Sequence, residues 1–194
     1  ERMVGRLLVI AGSSGVGKST LTARVAASLE FDKVVSTDTI RETLRTQISV
    51  EESPALHRSS FQPGGKDTIA DWNDTIIPLS ASIFAVIERA KKRGSDLLIE
   101  GVHIAPSLKL LDDWRAHGGT ACGVLLAVED SDEHLMMITR RQQHNGRPAR
   151  HYLRHFDRIR EINHRLISLA IKIDWIVIDV TTENDPIGLI ESNF

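Results

Sequence analysis

The chain has one cysteine, Cys122, so no disulfide can form within it, and the placing of that thiol in an apolar run marks it as a core residue of a reducing compartment. No apolar run approaches the roughly 20 residues of a membrane-spanning helix, and no basic segment followed by an apolar one opens the chain. A soluble, cytoplasmic protein is expected. Neither charge dominates, with 24 Lys and Arg against 26 Asp and Glu, which leaves no global electrostatic reason for a nucleic-acid or membrane partner. Any anion site must therefore be local. Internal repeats, heptads and low-complexity segments are also missing. With 41% apolar residues in 194, the chain can bury a normal core, and residues 1–194 are expected to form a single domain.

What is present begins with Gly12-Ser13-Ser14-Gly15-Val16-Gly17-Lys18-Ser19, which satisfies every fixed position of the phosphate-binding pattern G-x-x-x-x-G-K-[ST]. It follows an apolar run, Leu7 to Ala11, that reads as a buried strand, and opens a helix with Leu21, Val25 and Leu29 on one face. The glycines permit backbone conformations in which successive amides surround phosphate oxygens, and the helix N-terminus adds partial positive charge. Lys18 can then reach the β and γ phosphates, and the Ser19 hydroxyl can ligate Mg²⁺. ATP and Mg²⁺ are the cofactors this pattern predicts.

Apolar runs then alternate with helical patterns, the signature of an α/β fold with a parallel sheet covered on both faces. Lys33 to Ser36 reads as a short strand and places Asp38 at its carboxyl end, where ligands gather in open α/β sheets. The competing role for Asp38 is the N-cap of a helix from about Thr39. Residues 47–66 are rich in Ser, Pro and Gly, so a substrate-covering region is expected over about 47–75. A long helix carries Ile76, Leu79, Ile83, Ile87 and Ala90, and stops at Lys91-Lys92-Arg93-Gly94. Pro78 either kinks it or begins a second helix. The strand Asp96 to Glu100 brings a second carboxylate, Glu100, to the place where Mg²⁺ or its water is held, with His103 just beyond as a candidate substrate contact. Strands at 121–128 and 175–180 complete a five-stranded sheet.

Between Arg140 and Arg165 stand eight arginines against two acids, Asp157 and Glu161. Such an excess points to an anion-binding lid over about 140–155, turning on Gln143 to Pro148. The scarcity of interleaved aromatics argues against nucleic acid as its ligand. His151 and His155, four apart, have helical metal-ligand spacing without a third ligand to complete a site.

Four stretches resemble those of the 2-phosphoglycerate kinases of the phosphate-loop kinase superfamily: Gly12 to Thr20, Ser36 to Glu42, Leu56 to Phe61, and Glu100 to Ile104 with Pro106. Arg140 with Arg147-Pro148 is similar to the lid of shikimate-kinase-like proteins. That likeness implies that Arg140 stacks on adenine and that Arg147 reaches the phosphates. In the same group two acids separated by one residue end the second strand, and Ser36 stands where the first would be.

The activity so implied is ATP-dependent phosphorylation of a hydroxyl on a small anionic metabolite, 2-phosphoglycerate giving 2,3-bisphosphoglycerate. Gly12, Ser13, Ser14, Gly15, Val16, Gly17, Lys18, Ser19, Thr20 and Arg140 would bind ATP. Lys18, Asp38 and Arg147 would carry the catalysis, with Ser19 on the metal. An acceptor bearing a carboxylate and a phosphate needs forked donors, so Arg41 is its first candidate partner, with His57, Ser59, Ser60, His103, Asp38 and Glu100 around it. The remaining alternatives are another acceptor, such as a sugar acid or a nucleotide sugar, and a nucleotide-dependent regulator. The chain is expected to act as a monomer or homodimer.

Overall fold

A computed structural model describes residues 5–145 and 149–194, with only the backbone described at 142–145. In chain order the elements are β1 (Arg6–Ala11), α1 (Lys18–Ser28), β2 (Val34–Ser36), α2 (Thr37–Arg45), a 3₁₀ turn (Pro54–His57), α3 (Thr68–Arg93), β3 (Leu97–Gly101), α4 (Leu108–Arg115), β4 (Thr120–Ala127), α5 (Ser131–Asn145), α6 (Ala149–Arg154), α7 (Phe156–Lys172), β5 (Ile176–Asp179) and α8 (Pro186–Glu191).

The five strands form one parallel sheet in the order β2-β3-β1-β4-β5. The chain leaves β1 toward one edge and returns on its other side at β4, so a crevice opens beyond the carboxyl end of β1. Register places Glu100 of β3 between Ile10 of β1 and Ser36 of β2, which sets that carboxylate at the crevice floor. One face of the sheet packs Leu7, Val9, Ile99 and Leu125 against Trp72, Ile87 and the α7 stripe Ile159, Ile162 and Leu166. The other packs Leu8, Ile10, Leu98 and Val124 against Leu21 and Val25 of α1. Cys122 lies buried in this second layer, and burial pushes its thiol up to about 11, an inert core thiol.

One local expectation is corrected, and one of two alternatives is removed. The helix after β2 begins at Thr37, and its cap is Ser36, whose Oγ accepts from the Asp38 amide at 3.2 Å. Asp38 thus lies inside the first turn with its carboxylate released from capping. Pro78 lies within a continuous 26-residue α3, neither ending nor beginning a helix. Gly94, in the left-handed region at φ 63°, ends α3 where the Lys-Lys-Arg-Gly signal placed the stop.

The region between α2 and α3 is held by long-range polar contacts centred on Asp71, which is fully buried. Its carboxylate accepts from the amides of Gly64 (2.7 Å) and Lys66 (3.1 Å) and from the Arg158 guanidinium on α7 (2.7 Å). Arg158 also donates to the Phe61 carbonyl at 2.8 Å. Burial pushes the Asp71 carboxyl up, but the Gly64 amide, Arg158 and the Lys66 amide outweigh it and hold the group below the usual carboxylate range. Asp71→Ala would strand two amides and a half-buried guanidinium, and is expected to cost about 3–5 kcal/mol. Urea unfolding should show a lowered midpoint with an unchanged slope; a loss below about 1 kcal/mol would contradict this role. Because the folded carboxyl releases its proton more readily than the unfolded one, this stabilisation is present above about pH 4 and disappears as pH falls through the depressed folded value.

Candidate active site

The loop between β1 and α1 is shaped for an anion. Gly17 precedes α1 at φ 88° and Gly15 takes φ 80°, conformations that a side chain would strain. No side chain caps α1, and its first backbone bond runs from the Leu21 amide to the Gly17 carbonyl, leaving the amides of Lys18, Ser19 and Thr20 without helical acceptors. Those amides and the helix dipole point to one place.

That place is a cavity of about 1150 Å³ at the carboxyl ends of β1, β2 and β3. It is lined by Ser14, Gly15, Gly17, Lys18, Ser19 and Thr20 of the loop and the start of α1, and by Asp38, Arg41, Ser59, Ser60, Glu100 and His103 from the elements at the ends of β2 and β3. Lys18 is buried, and its Nζ donates to the Ser13 carbonyl at 2.7 Å. Burial lowers its pKa to about 8, opposed by the nearby charges of Glu100 and Asp38 and assisted by that of Arg141.

Asp38 keeps a 60% exposed side chain whose Oδ1 lies 4.0 Å from His103 Nδ1. Burial pushes the His103 imidazole down to about 4, so it is neutral at physiological pH, and its Nδ1 meets Thr37 Oγ1 at 3.1 Å. Gly101 makes this pairing possible, since a Cβ there would overlap Thr37 Oγ1. Arg41 donates from Nε to the Leu56 carbonyl and from one terminal nitrogen to the Arg58 carbonyl, both at 3.0 Å. It thereby ties the covering region to α2 while still lining the cavity. Its other terminal nitrogen stands 3.6 Å from Glu42, leaving one edge of the fork facing an exposed carboxylate.

Not every residue singled out in the sequence joins this group. His57 is not on the cavity wall; its Nε2 meets the Ile48 carbonyl at 2.7 Å and closes the covering segment on itself. Arg147 lies outside the described residues. Arg140 lines the cavity, as does Arg141, which shares the charge excess but was not distinguished within it. Two other arginines of the cluster serve the framework: Arg158 holds Asp71, and Arg160 donates to the Val128 and Glu129 carbonyls. His151 and His155 stack in a ring cluster with Phe61 and Tyr152, and His151 Nε2 meets Ser59 Oγ at 3.2 Å. Phe61 and Tyr152 add an aromatic patch to the cavity wall, which hydrophobic periodicity had no means of aiming there.

Mg²⁺ retains several waters and is bound through one or two protein groups plus phosphate oxygens, so it needs no protein cage. The Ser19 hydroxyl and the Glu100 carboxylate share the cavity, and no hydrogen bond engages either side chain among the described residues. That donor set fits a magnesium ion accompanying a nucleotide.

The chain is 31% identical over 181 residues to the 2-phosphoglycerate kinase of Pyrococcus horikoshii, an alignment covering 89% of this chain and 58% of that one. It is 32% identical to those of Pyrococcus furiosus, over 84% of this chain and 55% of that one, and of Methanopyrus kandleri, over 89% and 55%. The chain thus spans somewhat over half the length of the curated relatives it matches. No family model matches it. Among solved structures, a Chloroflexus aurantiacus protein aligns over 98% of this chain and 99% of its own at TM-score 0.59 and 15% identity. Shikimate kinase from Bacteroides thetaiotaomicron aligns over 97% and 93% at TM-score 0.53 and 16% identity. The fold is therefore that of the phosphate-loop kinases. No helix among the described residues is long and apolar enough to cross a membrane.

Proposed function

We propose, from the similarity of this chain to the 2-phosphoglycerate kinases, that it transfers the γ-phosphoryl group of ATP to a hydroxyl of a small anionic metabolite, with 2-phosphoglycerate as acceptor. The observation that carries the reading is a cavity that Lys18 and Ser19 line together with Asp38, Arg41, Ser59 and Ser60. A cavity with both a phosphate cradle and a carboxylate with hydroxyl and guanidinium donors suits two substrates meeting end to end.

In this reading the loop amides and Lys18 hold the β and γ phosphates, and Arg140 and Arg141 close over the nucleotide. Bound Mg²⁺ would neutralise charge on the transferring group, with Ser19 and Glu100 as the residues that would hold it. Asp38 accepts the proton of the acceptor hydroxyl as that oxygen attacks the γ-phosphorus, and ADP departs. Neutral His103 and the Ser59 and Ser60 hydroxyls orient the acceptor, while Arg41 offers it positive charge. Arg147 remains part of the proposed lid.

ATP consumption should be compared with 2-phosphoglycerate, 3-phosphoglycerate, glycerate, shikimate, gluconate and no acceptor. Strong stimulation by 2-phosphoglycerate alone is the expected result. Equal or greater stimulation by another acceptor would replace that substrate and keep the chemistry, and stimulation by none would favour a nucleotide-dependent regulator.

A further inference from the structure

The phosphate loop is held by a pair of side chains, His134, which no motif singled out, and Arg160, which the sequence marked only as one of a cluster of arginines. His134, on α5, is fully buried, and its Nε2 lies 2.9 Å from the Ser14 carbonyl. Its Nδ1 lies 3.1 Å from a terminal nitrogen of Arg160 on α7. Arg160 is itself fixed by the carbonyls of Val128 and Glu129, each at 2.6 Å. A guanidinium can only donate, so Nδ1 must accept, and the ring proton must sit on Nε2, where it is donated to Ser14. Burial, with Arg160 and Lys18 adding to it, pushes the ring below the ordinary histidine range and keeps it neutral as this arrangement requires.

We infer that Arg160 and His134 form a brace that sets the orientation of the Ser14–Gly15 peptide and so prepares the loop for nucleotide phosphates. In a trans peptide the carbonyl and the following amide point in opposite directions. With the Ser14 carbonyl drawn back to α5, the Gly15 amide is aimed at the cavity that Gly15 lines. Were the peptide to turn over, a carbonyl oxygen would face the phosphates in place of a donor. The loop has no slack against the helix: a Cβ on Gly15 would overlap Ile138 and come within 3.5 Å of His134 Nε2. His134 is thus a positioning residue of the nucleotide site, and the same helix carries Met137, Arg140 and Arg141 into the cavity one to two turns later.

The test is calorimetric titration of the protein with Mg²⁺ and a non-hydrolysable ATP analogue, with no acceptor present. This inference therefore does not depend on the acceptor proposed above, and an unaltered protein that failed to bind the analogue would overturn the nucleotide site itself. His134→Phe keeps an aromatic ring beside Phe156, slightly larger than imidazole, but loses both polar contacts. It is expected to weaken analogue binding roughly 10- to 100-fold. His134→Gln, whose amide can donate to Ser14 and whose oxygen can accept from Arg160, should stay within about fivefold of the unaltered protein, whereas the shorter His134→Asn should not. A folded His134→Phe binding within twofold of the unaltered protein would overturn the inference. Should His134→Phe fail to fold, the Gln and Asn variants decide, and equal affinities for those two would overturn it.

Discussion

Lys18→Ala should lower kcat/KM by about three powers of ten or more while leaving the protein folded. The two halves of that expectation have separate causes. Among the described residues Lys18 Nζ meets only the Ser13 carbonyl, and its burial already disfavours the ammonium, so the framework loses little with it. In the proposed reaction the transition state would lose the buried cation placed to meet the transferring phosphoryl group, in surroundings where such a charge acts strongly. The pH dependence has a definite sign. Phosphate binding favours the protonated lysine, so kcat/KM for ATP should be level below about 8 and fall above it, where the free enzyme's Lys18 loses its proton. Steady-state kinetics over a pH series measures both effects. A variant with near-normal turnover would remove Lys18 from the site, and an alkaline limb displaced toward 10 would place its ammonium in water.

Asp38→Asn should lower kcat by about 10²- to 10³-fold with KM for ATP nearly unchanged. Ser36 supplies the cap of α2, so among the described residues the Asp38 carboxylate has no structural hydrogen bond to lose. It lines the same cavity as the phosphate loop, where Asn could still orient the proposed acceptor hydroxyl and could not take its proton. Its charge is felt at both Lys18 and Arg41, so a modest loosening of each is the side effect to look for. Separate titrations of ATP and acceptor against initial rate distinguish the outcomes. Collapse of ATP affinity would instead assign Asp38 to the metal or to the framework.

The phosphate loop was legible because its function rests on contiguous backbone geometry, and eight adjacent residues suffice to write it. The strands on either side of it were legible as apolar runs, but the position of β3 between β1 and β2 was not, since pairing order is set across 90 residues of chain. The boundary at α2 slipped because Ser36 and Asp38 are both good caps, and only packing chooses between them. The arginine cluster misled in a more instructive way. A count of charge cannot tell Arg158, bonded to a buried aspartate 87 residues away, from Arg140 on a cavity wall. Asp71 was invisible for the same reason, as one polar residue in the first turn of a long helix. His57 lay in a stretch that carried the family resemblance, yet its ring meets a carbonyl nine residues upstream. His134 gave no local signal and Arg160 only a misleading one, as part of the charge excess, because a brace is defined only by the loop it touches.

The most direct measurement is phosphorus NMR of a reaction containing the protein, Mg²⁺, ATP and 2-phosphoglycerate, with the product's mass determined in parallel. ADP and a bisphosphorylated glycerate should appear in equal amounts, with little free phosphate. ADP accompanied by inorganic phosphate, with 2-phosphoglycerate unchanged, would contradict it.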